Sequence, residues 1–202
     1  MGFDILDRDK FDNYKKEYKA TKCSISKLVD HIKDGKIIGV LQGESEIGPR
    51  ALGNRSIICD ATHQETYNIL NEKLKRNDFM PFAPAVLEED ANVLFQVDKS
   101  HHTAEFMTML YDTKKEWYNK IPAVVHPVDK TARIQIVTGK SNPKFYRLIN
   151  QFWLVTGIPV LLNTSFNVHG EPIVCHPKEA FVHLDNEIVD ILVINNKVYT
   201  KK

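Results

Sequence analysis

The sequence predicts an α/β protein in which packed helices cover a twisted, mixed β-sheet. Apolar runs at 37–41 and 159–162 are continuous, which is typical of strands buried on both faces. Segments with helical periodicity alternate with such runs, and glycine, proline and short polar turns separate them. The 202 residues are sufficient for one substantial domain, and no glycine-rich or proline-rich linker divides them.

The amino-terminal part predicts one helix and one buried strand. Residues 1–22 are highly charged, so we expect a peripheral helix or a disordered tail there. Ser24 or Ser26 can cap a helix that stops at Gly35, and the strand at 37–41 follows it.

Two further helices are indicated. The first runs from about His63 to Leu74, and the second opens at Asn142-Pro143 and ends at Gly157. An apolar stripe on the second helix predicts core packing. Its members are Phe145, Leu148, Ile149, Phe152 and Val155.

Several short apolar or alternating segments are further strand candidates. They are 106–111, 123–126, 132–137, 160–163, 173–174 and 191–194. If 132–137 is a strand, Arg133 and Gln135 share one face, which is either solvent or a polar cleft.

The apolar run at 159–162 ends in a cluster of small polar side chains. These are Asn163, Thr164, Ser165 and Asn167. In α/β sheets ligands bind where strands end, which makes this cluster a candidate site. The alternative is a polar turn whose side chains bond their own backbone, and the pattern alone leaves both interpretations open.

A second candidate segment, GESEIGPRALGNRSI, follows the strand at 37–41. Its glycines let a backbone approach an anion closely, and Arg50 and Arg55 supply donors for phosphate or carboxylate. The segment matches neither the dinucleotide-binding fingerprint nor the P-loop. A surface turn with solvated arginines would explain the glycines but not the crowding of polar groups beside a buried strand.

A third cluster, Lys73, Lys75 and Arg76, closes the helix that begins near His63. Basic residues in a last helical turn commonly face solvent or interact with the helix dipole. Taken alone, the cluster therefore indicates nothing more specific.

Together these segments resemble the carboxyl-terminal region of the carbamoyltransferase family that decorates nodulation factors, aminoglycosides and cephalosporins. The resemblance runs through EIGPRALGNRSI, FMPFAPAV, HPVDKTARIQ, TGIPVLLNTSFNVHGEPIV and VDILVINN. That region is similar in turn to the YrdC domain of threonylcarbamoyl-adenylate synthases, whose Ser-x-Asn signature Ser165 and Asn167 match. The resemblance thus implies a YrdC-like fold.

The resemblance also implies a reaction. Carbamoyl phosphate and ATP, the latter with Mg²⁺, would form a carbamoyl-adenylate and release phosphate and pyrophosphate. Carried over position by position, it implies catalytic roles for Arg50, Lys75, Arg133 and Ser165. It implies substrate or nucleotide binding by Arg55, Asn54, Lys73, Arg76, Asn163, Thr164 and Asn167.

Two positions depart from the family pattern. Met80 stands where many members have the arginine of FRPFAP, and Lys130 replaces the glycine of DGTAR. Members also usually carry an actin-like domain ahead of this region, which transfers the carbamoyl group to a hydroxyl acceptor. We expect that domain, as a partner domain or subunit, to perform the second step here.

Two other functions are compatible with the sequence. One is a synthase that forms threonylcarbamoyl-adenylate for tRNA modification, and the other is a non-catalytic nucleotide-binding module. The motifs GPRALGNRS, FMPFAP and NTSFN favour the carbamoyltransferase.

Composition agrees with a soluble enzyme, and we expect it to be cytoplasmic. The formal net charge of +1 gives no basic surface for nucleic acid, and no apolar run approaches a membrane span of about 20 residues. The 3 widely spaced cysteines favour reduced thiols. No metal-ligand spacing is present, so we expect no protein-bound metal, and we interpret His126 and His169 as structural or solvated.

Overall fold

The computed structural model describes residues 17–76, 81–97 and 102–202, which form a mixed β-sheet with helices on both faces. The strands are β1 Tyr18–Lys22, β2 Ile38–Leu41, β3 Arg55–Cys59, β4 Ala83–Leu87, β5 Tyr111–Asp112, β6 Thr131–Ala132, β7 Gln135–Val137, β8 Val160–Ser165, β9 Ile191–Ile194 and β10 Lys197–Lys201. The α-helices are α1 Ile25–Lys33, α2 Gln64–Lys73, α3 Glu88–Leu94, α4 Pro143–Thr156 and α5 Pro177–Asp185. Short 3-10 helices cover His102–Phe106, Lys115–Trp117 and Pro122–Val124.

Eight of these strands form the main sheet in the order β1-β10-β9-β2-β3-β8-β4-β7. β2 pairs with β9, and β4 with β7, in parallel, whereas the other neighbours are antiparallel. β5 and β6 form a separate two-stranded sheet. The prediction of a mixed α/β sheet is confirmed.

Both faces of the sheet are buried along the central strands, which explains the continuous apolar runs. Along β8, Leu161 packs in a cluster with Phe152 of α4, whereas its neighbour Leu162 packs in a cluster with Phe181 of α5. Successive strand residues therefore supply two cores on opposite faces.

The three predicted helices are present. Ser24 is the residue before α1, but its side chain makes no capping hydrogen bond, so that predicted cap is wrong, whereas the caps of α4 are as predicted. The Asn142 side chain accepts a hydrogen bond from the Phe145 amide, and Gly157 ends α4 with a φ of 73°. The predicted stripe is buried at its first four positions, but Val155 is 47% exposed, so its assignment to the core is wrong. Val155 lies at the solvent-facing side of the last turn.

Three strand predictions are wrong. Segment 106–111 yields only the strand residue Tyr111, and 123–126 begins within a 3-10 helix started by Pro122. Segment 173–174 is not in a strand, although the Val174 amide donates to Phe166 O. Apolar residues in these segments are buried beneath irregular backbone, and apolar character reports burial without requiring a strand ladder. The segment 132–137 forms two short strands with a break at Arg133.

The end of the charged amino-terminal segment is an edge strand. β1 pairs with β10, and Tyr18 stacks on Phe181 with ring centroids 4.5 Å apart. Burial of Tyr18 therefore overrides the charge of its neighbours, and for 18–22 the expected helix or tail is wrong. Residues 1–16 lie outside the described part of the chain.

Candidate active site

A cavity of about 360 Å³ opens where β8 ends and where β3 and β4 begin. The register places Ser165 opposite Ser56 and Asn163 opposite Ala83, so the polar cluster at the end of β8 lies at this edge. The basic and polar residues that line it include Arg50, Arg76, Arg133, Thr164, Ser165 and Asn167. Leu74, Phe82 and Met107 contribute apolar surface.

Three arginines converge on the cavity from separate segments. Arg50 lies in the β2–β3 loop, residues 42–54; Arg76 follows α2; and Arg133 lies between β6 and β7. Among the described residues, no aspartate or glutamate lines the cavity. The cavity is therefore strongly cationic and suited to an anion with several oxygens.

The electrostatic cost of this arrangement appears at Arg133. Burial, followed by the neighbouring charges of Arg50 and Arg76, lowers the pKa of Arg133 to about 10. Arg133 still carries its charge at neutral pH. Its Nε is buried without a hydrogen-bond partner in the described part of the chain. A bound anion would supply that partner and relieve the repulsion.

Arg76 is held in place by two contacts. Its Nη1 donates to Thr164 Oγ1 at 3.2 Å, and its guanidinium lies 4.4 Å from the centroid of the Phe82 ring. Burial and the charge of Arg50 lower its pKa as well. The guanidinium is thus oriented before any ligand arrives.

Side-chain amides fix the loop that carries Arg50. Each donates to one of three consecutive backbone carbonyls. The pairs are Gln42 Nε2 to Gly53 O at 3.0 Å, Gln135 Nε2 to Leu52 O at 3.0 Å, and Asn163 Nδ2 to Ala51 O at 3.2 Å. The Glu46 carboxylate accepts hydrogen bonds from two amides of the same loop, Leu52 and Asn54. These bonds hold Arg50 at the cavity wall.

Arg55 was assigned to substrate binding from the sequence, but the structure turns its side chain inward. It is 1% exposed, does not line the cavity, and donates from Nη1 to Gln42 O at 2.8 Å and from Nη2 to Gly43 O at 3.2 Å. As the first residue of β3, it braces the start of the β2–β3 loop.

Three other predicted residues also lie away from the cavity wall. The Asn54 side chain bonds within the loop through Glu44 O, and Lys73 Nζ lies 3.8 Å from an Asp190 carboxylate oxygen. Lys75 is exposed and does not line the cavity. The cation that follows α2 and reaches the cavity is therefore Arg76.

His169 and Met107 line the cavity although sequence reasoning did not select them. His169 lies just beyond Asn167, and its amide donates to Leu74 O at 2.9 Å, which ties the β8 turn to the end of α2. Its nearness to the Ser-x-Asn signature was a usable signal. No such signal marks Met107 in the sequence, because an apolar residue in an apolar segment is expected in the hydrophobic core.

Lys130 adopts the backbone conformation that the family's glycine would adopt freely. Its φ is 62°, in the left-handed region. The Asp129 carboxylate accepts from the Thr131 amide at 2.9 Å, which closes the turn that leads to Arg133. Lys130 is thus accommodated in this turn in the left-handed conformation. Met80 lies outside the described residues.

The described residues, 17–76, 81–97 and 102–202, show neither a metal centre nor a membrane span. They contain no group of three or more His, Cys, Asp or Glu side chains arranged to hold a metal ion. Within the same ranges no helix has the length and hydropathy needed to cross a membrane. Cys23, Cys59 and Cys175 are free thiols, and burial raises the pKa of Cys59.

Solved structures show that the fold is YrdC-like. Full-length HypF, in its phosphate- and nucleotide-bound form, superposes with a TM-score of 0.62 at 22% identity, covering 86% of this chain and 25% of HypF. E. coli YciO gives 0.58 at 16% identity over 85% of this chain and 77% of its own. P. abyssi Sua5 complexed with L-threonine superposes with a TM-score of 0.60 at 12% identity, covering 85% of this chain and 46% of Sua5.

The amino-acid sequence also identifies the family to which the chain belongs. Residues 29–201 match the family described as Carbamoyltransferase C-terminus, and the chain belongs to it. Nodulation protein NolNO of Sinorhizobium fredii is 42% identical over 180 residues, covering 88% of this chain and 26% of NolNO. The uncharacterized protein MJ1058 of Methanocaldococcus jannaschii is 41% identical over 172 residues, covering 85% and 28%. The chain thus spans little more than a quarter of these relatives.

Proposed function

We propose that this chain binds carbamoyl phosphate and ATP and forms a carbamoyl-adenylate, as the activating part of an O-carbamoyltransferase. The observation that carries the proposal is the cavity with Arg50, Arg76 and Arg133 and no acidic residue among its described lining. Both substrates are polyanions, and guanidinium groups bind phosphate oxygens through paired donors. Membership in the carbamoyltransferase family supplies the group that is transferred.

The overall reaction balances with one water. Carbamoyl phosphate, ATP and water give carbamoyl-adenylate, phosphate and pyrophosphate. Water cleaves carbamoyl phosphate into carbamate and phosphate. A carbamate oxygen then attacks the α-phosphorus of ATP, which forms the C–O–P linkage to AMP and breaks the bond from that phosphorus to the departing pyrophosphate. Both leaving groups are anionic, so fixed cations that need no reorientation stabilise the developing charge.

Each polar element of the cavity has a role in this proposal. Arg133, with its unpaired Nε, and Arg50 bind transferred or departing phosphate. Arg76 lies over Phe82 and beside Thr164, which suits the polyphosphate of a nucleotide. Ser165 and Asn167, at the end of β8, position the small planar carbamoyl group. Magnesium would enter with ATP and be held largely by its phosphates.

Transfer to an acceptor needs a second site. The relatives are three to four times longer than the matched region, and we propose that an actin-like partner domain or subunit carries the carbamoyl group to a hydroxyl. The adenylate formed here would be the substrate that this partner receives.

Pyrophosphate release from ATP by the purified chain tests the proposal. Release should require carbamoyl phosphate, and Arg50→Met should abolish it while Arg147→Met, at an exposed position of α4, retains it. Release with bicarbonate and threonine instead would assign the chain to the threonylcarbamoyl-adenylate synthases. The structurally similar Sua5 was solved in complex with L-threonine. Nucleotide binding without any pyrophosphate release would indicate a binding module.

A further inference from the structure

Two buried side-chain amides, hydrogen-bonded in series, connect the β2–β3 loop to the cavity. Gln135 and Asn163 are 3% and 0% exposed, and Asn163 lines the cavity. The Asn163 Nδ2 donates to Gln135 Oε1 at 2.6 Å, and Gln135 Nε2 donates to Leu52 O at 3.0 Å. This series of hydrogen bonds begins at the backbone carbonyl of Leu52, which can only accept.

This arrangement determines which way the Asn163 amide points. Because Leu52 O takes a hydrogen bond from Gln135 Nε2, the oxygen of Gln135 must face Asn163. Asn163 meets that oxygen with Nδ2, and the same Nδ2 donates to Ala51 O at 3.2 Å. Both N–H groups of Asn163 are therefore used, and a flipped amide would set oxygen against two acceptors.

The Asn163 side-chain oxygen, Oδ1, takes no part in these hydrogen bonds. It is buried and has no hydrogen-bond partner in the described part of the chain. An unpaired buried acceptor costs free energy, and a ligand that donates to it recovers that cost. Among the described residues that line the cavity, the side chains that are always charged are arginines, which donate, whereas the Asn163 Oδ1 is a neutral acceptor.

We propose that Asn163 Oδ1 accepts a hydrogen bond from the amino group of the carbamoyl substrate and thereby distinguishes a carbamoyl group from an acyl group. This inference rests on the proposed function, since it names the group that Asn163 recognises within that substrate. The arginines bind the phosphate end of carbamoyl phosphate, and Oδ1 binds its N–H end. A site built to pair a polar group rejects an analogue that lacks it, because its own polar atom then stays unpaired.

Acetyl phosphate provides the matched ligand. It carries the same acyl phosphate but has a methyl group where carbamoyl phosphate has its amino group. Calorimetry with the 202-residue chain should show carbamoyl phosphate binding about tenfold more tightly than acetyl phosphate, the ratio expected for one buried hydrogen bond. In Asn163→Leu the ratio should fall to about one, because the acceptor is gone.

The ratio of the two affinities distinguishes recognition of the amino group by Asn163 from its support of the β2–β3 loop. Asn163→Leu also releases Ala51 O, and that disturbance of the loop lowers the affinity for both ligands, which share the phosphate. Gln42→Met is the control: it releases Gly53 O in the same loop without touching Asn163, so it should lower both affinities and keep the ratio. Retained binding of inorganic phosphate will verify that each variant still forms the arginine site.

The possible outcomes separate the two proposals. Equal affinity of the wild-type chain for the two acyl phosphates would overturn the role of Asn163 and leave the phosphate site standing. An unchanged ratio in Asn163→Leu would overturn it as well. Failure of the wild-type chain to bind any of the three phosphates would overturn the proposed function, and this inference with it.

Discussion

Burial and hydrogen bonding divide the predicted arginines into ligand-binding and structural residues. Arg133 lines the cavity and has an unpaired Nε, whereas the Arg55 guanidinium donates hydrogen bonds to backbone carbonyls. The sequence could place both beside buried strands. It could not show the inward turn of Arg55, because the direction of that side chain depends on the register of β3 against β2.

Arg133→Met should weaken the binding of carbamoyl phosphate by about 10- to 100-fold. A charge-assisted hydrogen bond is lost, and such bonds contribute about 1.5–3 kcal/mol. Thermal stability should not fall, because the substitution relieves repulsion with Arg50 and Arg76. Calorimetry and thermal unfolding measure the two effects, with Arg147→Met as the control. Unchanged affinity would remove Arg133 from the site.

Arg55→Met should act on stability first. The substitution leaves Gln42 O and Gly43 O without their donor beneath the loop, which should lower the free energy of unfolding by about 1–3 kcal/mol. Denaturant unfolding measures this change. A variant as stable as the wild type that nevertheless cannot bind phosphate would show that Arg55 contacts the ligand directly.

Among the elements, β2 must pass close to the residues that follow β8. A Cβ added at Gly39 would lie 2.5 Å from Cζ of Phe166, a ring that is 0% exposed and has no room to move. Phe166 separates Ser165 from Asn167. The absence of a side chain at position 39 therefore lets the Phe166 ring pack against β2.

Gly39→Ala should destabilise the fold by about 1–3 kcal/mol through overpacking. Gly139→Ala is the control, since nothing lies within 4 Å of a Cβ at that position. Adding Phe166→Leu to Gly39→Ala should recover part of the loss, because the smaller side chain vacates the contact. Denaturant unfolding of Gly39→Ala, of Phe166→Leu and of the double variant measures the coupling between the two positions. Additive effects in the double variant would contradict this packing.

The turn before Arg133 yields a prediction about Lys130. Lys130→Gly should stabilise the protein by about 1 kcal/mol, because glycine adopts a φ of 62° without the cost that a Cβ imposes. Lys130→Ala, which keeps the Cβ, should show no such gain. Thermal unfolding compares the two variants. Equal stability of Gly and Ala at this position would show that the turn is unstrained.

The three predicted helices were recognisable for a physical reason, although α3 and α5 were not predicted. Caps such as Asn142 and terminators such as Gly157 act within a few residues, so the sequence displays them locally. Strands depend on distant partners: 191–194 pairs with β2 and β10, whereas the equally apolar 123–125 finds burial in an irregular segment. Hydrophobicity identified what is buried in both cases.

For the whole molecule, the site exists only after the sheet has formed. Arg50, Arg76 and Arg133 reach one cavity because β3, β4 and β7 begin at the edge where β8 ends. The motifs indicated Arg50, Arg133, Ser165 and Asn167 as site residues, and the structure brings these to the cavity. Met107 reaches the cavity through tertiary packing and could not be derived from local pattern, whereas the position of His169 just beyond Asn167 was a local signal.

The most direct test of carbamoyl-adenylate formation follows the carbamoyl carbon itself. The chain would be incubated with ¹³C-labelled carbamoyl phosphate, ATP and Mg²⁺, and the nucleotides analysed by mass spectrometry. We predict a ¹³C-carbamoyl-adenylate with the wild type and none with Arg133→Met. Nucleotide products that never carry the label, while both substrates bind to the cavity, would contradict the proposed function.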